Sequence, residues 1–223
     1  MRSHEPPILY FGTPVVLISS LNEDGFPNLA PMSSAFWLGW RCILGLDAGS
    51  KTTQNMIRTG QCVLNLPSDD MVAAVNRLAL TTGCDPVPPA KMHRGYRHER
   101  DKFGISGLTP LRSETVAPPR ALECPVQLEA SVEAVHGVAD DDARFRGHLV
   151  SIEVRVQRVH LHDAILAIGE ANRIDPDKWR PLIMSFQKFY GLGPQLADSV
   201  LARVPEQFYR SPDIDRARLE PAL

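Results

Sequence analysis

The chain has 223 residues, of which 43% are hydrophobic and 22% charged, and its formal net charge at pH 7 is -2. These values are ordinary for a folded globular protein, and the length suits one domain or one domain with an added terminus. The basic residues are spread along the chain, so the charge pattern indicates neither a nucleic-acid partner nor binding to an anionic membrane surface.

The sequence contains no targeting signal that we recognise. No apolar run approaches the roughly 20 residues that a membrane span requires, and the first ten residues, MRSHEPPILY, lack the apolar core of a signal peptide. We therefore expect a cytoplasmic protein. Its four cysteines, Cys42, Cys62, Cys84 and Cys124, are widely spaced and form no C-x-x-C pair. This spacing predicts reduced thiols rather than a disulfide framework or a structural zinc site.

The first third of the chain predicts short strands and one helix. PVVLISS is rich in β-branched residues and leads to the turn signal NEDG, so residues 14–34 are predicted to form a hairpin. Pro27 and Pro31 indicate an edge or a strand end, because proline donates no ladder hydrogen bond. RCILGLD and QCVLNLP predict further strands. Between them, Ser50 and Gly60 are the expected N-cap and C-cap of a short helix.

The middle of the chain predicts one helix followed by a loop. The helix is expected over SDDMVAAVNRLALTTG, with Ser68 as its cap and Gly83 at its end. Residues 84–120 are interrupted by prolines and glycines and predict a long ordered loop with one helical turn near 97–103. A loop of this length in a compact domain usually covers something.

The second half holds the clearest strand patterns. In PVQLEASVEAV and VSIEVRVQRVHL, apolar and polar residues alternate with period two, which predicts one buried and one solvated face. The phase slips near Gln157 and Arg158, where we expect a β-bulge. AILAIGE is expected to add a last strand, residues 194–204 a helix, and the rest a polar tail. Strands do not alternate with helices, so an antiparallel barrel with helical decorations is favoured over a doubly wound parallel sheet.

The segment GSKTTQN is a candidate phosphate site. With Ser50 as N-cap, the amides of Lys51, Thr52 and Thr53 point out of the helix start, where hydroxyls and a lysine also stand. The alternative is an ordinary capped surface helix.

The segment PMSSAF is a candidate for contacts with a flat heteroaromatic ligand. It follows a strand interrupted by proline, so some of its amides need partners outside a ladder. Ser33 and Ser34 add hydroxyls. The alternative is a polar β-turn.

Histidines give weaker signals. His160-x-His162-Asp163 puts two imidazoles on one strand face, but no third ligand stands at a suitable spacing, and we predict no metal site. His93 and His98 lie in the basic run KMHRGYRHER, which is either a contact for an anionic substrate or a solvated loop face. G-x-G-x-x-G, G-x-S-x-G, H-E-x-x-H and P-loop motifs are absent, so a nicotinamide nucleotide would not be held by a Rossmann unit.

Five segments follow one another along the chain: PVVLISSLNEDGFPNLAPMSSAFW, SKTTQNMIRTGQCVLNLP, DKFGISGLTPL, ALECPVQLEASV and DPDKWRPLIMSFQKFYGLG. This ordered set resembles the flavin reductase-like FMN-binding split-barrel family, of flavoredoxin and flavin reductase type, from Pro14 to about Gly193. The resemblance implies a mainly β fold: a six-stranded antiparallel, Greek-key-like split barrel with helical decorations and a C-terminal helical extension. It divides the chain into an N-terminal segment (1–13), a split-barrel domain (14–170) and an extension (171–223) that packs on the barrel or a dimer partner.

The resemblance also implies a function. It indicates a homodimer that binds FMN, with FAD as the less favoured alternative, and takes hydride from NADH or NADPH as a transient electron donor. The electrons then pass to a second small-molecule acceptor or to a partner monooxygenase. The alternative is a non-catalytic FMN-binding or electron-carrying dimer. Neither a nucleic acid nor a membrane is among the expected partners.

The family's binding residues map onto two segments and two single positions. The resemblance implies that the ring is lined by Ala30, Pro31, Met32, Ser33, Ser34, Ala35 and Phe36, and that the ribityl phosphate is bound by Ser50, Lys51, Thr52, Thr53 and Asn55. Tyr190, in KFYGLG, matches a C-terminal tyrosine region near the flavin, with ordinary packing as the alternative. His148, at the start of GHLVSIEV, matches a histidine that faces the nicotinamide, with a solvent-facing histidine as the alternative.

Overall fold

A computed structural model describes residues 2–223. Short strands and helices make up its first half, and two long strands dominate the second. In chain order the strands are β1 (Phe11–Pro14), β2 (Val16–Leu21), β3 (Pro27–Met32), β4 (Ala35–Leu38), β5 (Arg41–Asp47), β6 (Gln61–Leu66), β7 (Thr81–Thr82), β8 (Arg97–His98), β9 (Pro110–Leu111), β10 (Arg120–Ala121), β11 (Val126–Val138), β12 (Leu149–Leu161), β13 (Ile183–Ser185) and β14 (Lys188–Tyr190).

The helices are short. The α-helices are α1 (Lys51–Thr59), α2 (Val72–Leu78), α3 (Pro89–Met92), α4 (Lys102–Ser106) and α5 (Pro212–Leu219). Turns of 3-10 helix lie at Asp69–Met71, Asp163–Ile165, Val200–Arg203 and Glu206–Tyr209. Among residues 2–223, no helix is both long enough and apolar enough to cross a membrane.

The principal sheet is antiparallel and has seven strands in the order β3-β2-β6-β11-β12-β5-β4. The expectation of six strands is therefore wrong for this sheet. The additional strand is β4, which pairs with β5 directly after Ser33 and Ser34; its residues had been assigned to the ligand segment instead. β3 and β4 remain as edges, so within the described residues the sheet does not close into a barrel.

Two details of this sheet confirm predictions from the sequence. β3, which contains Pro27 and Pro31, lies at an edge of the sheet. In the β11–β12 pair, Glu129 faces Arg158 and Ala130 faces Val156, so Gln157 has no partner opposite. This is the predicted β-bulge, and it turns the following residues of β12 to the other face.

Helix α1 begins and ends where the sequence predicts. The Ser50 hydroxyl accepts a hydrogen bond from the amide of Thr53, and Gly60 adopts the left-handed conformation (φ 69°) that ends many helices. Its amide donates to the carbonyl of Met56. Both predicted caps of α1 are therefore confirmed.

Two other elements differ from those that the sequence predicts. The helix expected to reach Gly83 ends at Leu78, because Ala79 is extended and the β-branched pair Thr81–Thr82 forms β7, parallel to β8. AILAIGE makes only a 3-10 turn and one bridge, between Leu166 and Ile174, rather than a strand.

The C-terminal helix lies later in the chain than expected. Residues 194–204 contain only the 3-10 turn Val200–Arg203, and the helix α5 forms in the tail that was expected to be merely polar. Ser211 caps α5 and Pro212 occupies its first turn, which favours a helix start there. α5 is held on the sheet by an ion pair between Arg41 and Asp213 (2.9 Å).

The sheet is buried on both faces. β2 sends Val16 and Ile18 into one apolar cluster and Leu17 into a second, which also holds α2 and Phe103 of α4. β1, β13 and β14 form a separate three-stranded sheet that pairs the start of the chain with residues 183–190. All four cysteines are free, and burial raises the pKa of the Cys42 thiol to about 12.

Candidate functional site

A cavity of about 850 Å³ opens between β3, the start of α1 and the segment that follows α2. It brings together residues from both segments predicted to bind one ligand. From the ring-lining set it contains Ala30, Pro31, Met32, Ser33 and Ser34, and from the phosphate set it contains Ser50, Lys51 and Thr52. The two segments flank the antiparallel β4–β5 hairpin, whose first and last residues lie at the same end of the sheet.

The rest of the ring-lining set points elsewhere. Ala35 is buried in the core cluster, and Phe36, the next residue of β4, is 53% exposed on the opposite face. Neither lines the cavity. Tyr190 is also half exposed, whereas its neighbour Phe189 does line the cavity. His148 is exposed outside the cavity, and its carbonyl accepts a hydrogen bond from the amide of Ala48.

Two predicted phosphate residues serve the structure of α1. Thr53 is fully buried, and its hydroxyl donates to the carbonyl of Asp47 (2.8 Å). Asn55 is also buried, and its side-chain amide donates to Ser20 Oγ (3.2 Å) and Asn22 Oδ1 (2.9 Å). Thr53 thus ties α1 to the end of β5 and Asn55 ties it to the β2–β3 hairpin, so both residues hold the helix in position and neither lines the cavity.

Unused backbone amides mark one end of the cavity. Ser33 and Ser34 lie between β3 and β4, and their amides donate to no acceptor among residues 2–223. The Ser34 carbonyl, in contrast, accepts from the amide of Gly45 at 2.8 Å. A Cβ atom on Gly45 would lie 3.2 Å from that of Ser34, so glycine allows this close approach. The two amides and two hydroxyls are therefore available to a ligand.

The start of α1 marks the other end. The amide of Thr53 is taken by the Ser50 hydroxyl, and the amide of Gln54 donates to the Ser50 carbonyl, which leaves those of Lys51 and Thr52 as the free donors of the first turn. Lys51 Nζ lies 2.5 Å from Glu23 Oε2, and this bond lowers the pKa of Glu23. An exposed carboxylate thus already offsets part of the Lys51 charge.

The sequence analysis missed a buried lysine in this cavity. Lys102 is 1% exposed, and its ammonium donates to Thr81 Oγ1 at 2.6 Å. No carboxylate among the described residues lies within 4.0 Å of it. Burial lowers its pKa to about 8, and the nearby charges of Lys91 and Arg97 act in the same direction, against Glu99. The only sequence signal was a lysine beside Phe103 in an otherwise apolar helix.

Asn28 and Gly83 join the two lysine-bearing walls. Asn28 is buried, and its side-chain amide donates to Thr52 Oγ1 at 3.1 Å. A Cβ atom on Gly83 would lie 2.8 Å from Asn28 Oδ1 and 3.1 Å from Lys51 Cγ. Glycine is therefore required for β7 and its exit to pack against α1, which brings Thr81 and Lys102 to the same cavity as Lys51.

The mouth of the cavity is basic. Lys91 of α3, with Arg94 and Tyr96 from the turn between α3 and β8, line it together with Phe189 of β14. His93 and His98 of the same basic run are exposed and outside the cavity. The long loop therefore does cover something, with its lysine, arginine and tyrosine instead of its histidines.

The other histidine cluster is structural. His160 Nε2 lies 2.8 Å from Glu129 Oε1, and His162 Nδ1 accepts from the amide of Ala164. Within residues 2–223, no group of three or more histidine, cysteine, aspartate or glutamate side chains is arranged to hold a metal ion.

Comparison with known proteins identifies relatives over most of the chain. The profile of a family described as "Flavin reductase like domain" matches residues 8–193. A protein of Bacillus subtilis (strain 168), named Uncharacterized protein YdfE, is 38% identical over 192 residues, which are 86% of this chain and 89% of that protein. The matched region contains every cavity residue described above.

Solved structures share the fold. Flavoredoxin of Desulfovibrio vulgaris (Miyazaki F) superposes with a TM-score of 0.72 at 20% identity, over 91% of this chain and 98% of its own. Nitrilotriacetate monooxygenase component B from Bacillus cereus gives 0.68 at 22% identity, over 86% and 88% of the two chains. At these identities the likeness is one of fold.

Proposed function

This chain belongs to the flavin reductase-like domain family, and from that membership we propose that it is an FMN-dependent oxidoreductase with NADH or NADPH as its electron donor. The observation that carries the proposal is the pairing of donors within one cavity. Unused amides of Ser33 and Ser34 stand at one end, and at the other stands the buried ammonium of Lys102, which has no carboxylate of residues 2–223 within 4.0 Å.

The residues present fit a flavin mononucleotide. A buried cation without a counter-ion is costly, so a ligand that brings its own anion would be stabilised there. Lys102 and the free amides of Lys51 and Thr52 are suited to a phosphate at a helix start, whereas the Ser50 hydroxyl caps the helix and bonds to Thr53. The amides of Ser33 and Ser34 are suited to the oxygen and nitrogen edge of a flat heteroaromatic ring.

A bound flavin would supply the hydride and electron transfer, which is why the chain needs neither a nucleophile nor a metal. The chain's own part is to bind and position. Ala30, Pro31 and Met32 offer an apolar wall for one face of the ring. The donors of Ser33 and Ser34 favour negative charge at the ring edge, and Lys102 balances the phosphate. Positioning of this kind can lower a barrier by several kcal/mol.

We further propose that the protein acts as a homodimer. β4 is an edge strand with exposed Phe36 and Leu38, and edges of this kind favour pairing with another chain. The second electron acceptor is a small molecule or a partner monooxygenase. The fold shared with a monooxygenase component B supports including such a partner in the assays.

The test is the absorbance spectrum of the purified protein after incubation with FMN and gel filtration, followed by anaerobic addition of NADH or NADPH. A retained flavin band that either donor bleaches, with continued donor consumption when free flavin is added, is the expected result. A retained band that neither donor bleaches would favour a non-catalytic electron carrier over an NAD(P)H-dependent enzyme. A colourless protein after FMN treatment would contradict both.

A further inference from the structure

The cavity extends past the groups assigned to the flavin phosphate. Its volume of about 850 Å³ is near the upper end of the range of roughly 300–1,000 Å³ that small-molecule sites occupy. The ring segment and the start of α1 account for one side. The side formed by Lys91 of α3 and by Arg94 and Tyr96, between α3 and β8, remains without an assigned ligand.

The two cations on this side are unpaired. Lys91 and Arg94 line the cavity, and neither has an ion pair with a carboxylate in the described part of the chain. Their neighbours in the same basic run are different: Arg97 pairs with Glu99 at 3.3 Å, and Arg100 pairs with Asp24 at 2.8 Å. The unpaired cations are thus the ones that face the cavity.

Hydrogen bonds fix this segment against the cavity wall. The amide of Arg97 donates to the carbonyl of Leu80 at 3.0 Å, and that of Glu99 to the carbonyl of Thr82 at 2.9 Å. The amide of Tyr96 donates to the carbonyl of Lys91 at 3.1 Å, which closes the turn that carries Arg94. The cations therefore stand on a backbone held in place, next to the wall that carries Lys102.

We propose that Lys91, Arg94 and Tyr96 form a subsite for the nucleoside diphosphate half of a dinucleotide. A guanidinium can bind a phosphate through two parallel hydrogen bonds, and a lysine adds a point charge. The partly exposed ring of Tyr96 offers a face on which a base can stack. The inference rests on the proposed function, because a flavin dinucleotide and a nicotinamide dinucleotide are the two sources of this group.

The test uses the double variant Lys91→Ala with Arg94→Ala in the full chain. Its control is Arg144→Ala with Arg203→Ala, which removes the same charge from exposed positions outside the cavity. Dissociation constants are measured for FMN, FAD and ADP, and the KM for NADH is measured with the FMN-loaded protein. We expect the dissociation constant of FMN to change less than about twofold in both variants. That of ADP should rise about tenfold or more, and only in the cavity variant.

The two sources give different results. If the subsite serves a flavin dinucleotide, the cavity variant binds both FAD and ADP more weakly, and its KM for NADH does not change. If the subsite serves a nicotinamide dinucleotide, the KM for NADH rises and the dissociation constant of FAD does not change. Equal weakening of FMN and ADP, or no change in any of them, would overturn the subsite. Failure of the unaltered protein to bind FMN would instead overturn the proposed function, and ADP binding would still decide the subsite.

Discussion

Lys102 combines a cost to folding with a use in binding. Its side chain is 1% exposed, and within residues 2–223 its hydrogen-bond partner is the neutral hydroxyl of Thr81. An ammonium in such surroundings loses its hydration without the compensation of an ion pair. Residues of this kind are expected where a ligand completes the charge balance.

We predict that Lys102→Met weakens FMN binding but not riboflavin binding. In the unaltered protein, whose Lys102 pKa is about 8, FMN affinity should fall by up to about tenfold per pH unit above pH 8, because the free protein loses the cation. The variant should bind FMN weakly and without this pH dependence. Fluorescence titration with both flavins from pH 6 to pH 10 tests this. Equal loss of both flavins would contradict the assignment of Lys102 to the phosphate.

The same substitution should stabilise the ligand-free protein. The pKa of Lys102 is lower in the fold than its ordinary value of 10.5, so the unfolded chain binds more protons between pH 8 and 10.5 and stability rises with pH there. At pH 7 the penalty is fully present. Lys102→Met should therefore raise the free energy of unfolding at pH 7 by about 1–3 kcal/mol, measured by urea denaturation without ligand. A decrease would show that the Thr81 hydrogen bond outweighs the burial of the charge.

Helix α1 supports the site as an element, and most of it could be predicted from the sequence. Ser50 and Gly60 act within a few residues of their own positions, so their roles follow from local rules. Asn55 and Thr53 could not be assigned in this way. Their position in the motif predicts contacts with the ligand, yet the packing of the helix on β5 and on the β2–β3 hairpin turns both inward.

Lys102 shows the opposite limit of sequence reasoning. It reaches the cavity only because α4 packs beside β7, and Gly83 allows that segment to approach α1. These contacts join residues far apart in the chain, and no local pattern encodes them. β4 could not be predicted for a related reason. Its pairing with β5 depends on the tertiary fold, and the short run AFWL carries no local strand signal of its own.

The N-cap of α1 allows the helix start and the phosphate to be tested separately. Asparagine and aspartate both cap helices about as well as serine. The free energies of unfolding of Ser50→Asn and Ser50→Asp should therefore each lie within about 0.5 kcal/mol of that of the unaltered protein. Only Ser50→Asp places a negative charge beside the proposed phosphate. We expect it to weaken FMN about tenfold or more relative to Ser50→Asn, with riboflavin unchanged, in the same titration. If the two variants bind FMN with the same affinity, the proposed position of the phosphate at this helix start is wrong.

At the scale of the whole molecule, Glu129 joins the sheet to the long loop. It lies in β11, is fully buried, and accepts hydrogen bonds from the amide of Glu114 (2.8 Å) and from the amide and hydroxyl of Thr115 (2.6 and 2.7 Å). His160 of β12 contacts it from the neighbouring strand. This carboxylate is thus one of the groups that hold the loop carrying β9 and β10 to the sheet, beside Gln61 and Asn65.

We predict that Glu129 sets part of the acid sensitivity of the fold. Burial alone would raise its pKa, but the hydrogen bonds from His160, Glu114 and Thr115 lower it to about 2, against an ordinary value of 4.5. Because the unfolded chain binds the proton more readily, this stabilisation is present above pH 4.5 and is lost as the pH falls towards 2. The loss should reach about 3 kcal/mol.

The variant Glu129→Gln isolates this contribution. An amide has one acceptor oxygen and two donor hydrogens, so it cannot serve all of the donors of the loop, and we expect a loss of about 2–4 kcal/mol at pH 7. Its stability should then change less than that of the unaltered protein between pH 4.5 and pH 2. The exposed Glu170→Gln is the control and should stay within about 0.5 kcal/mol. Urea denaturation across this range measures both, and a variant as acid-sensitive as the unaltered protein would place the titrating group elsewhere in the fold.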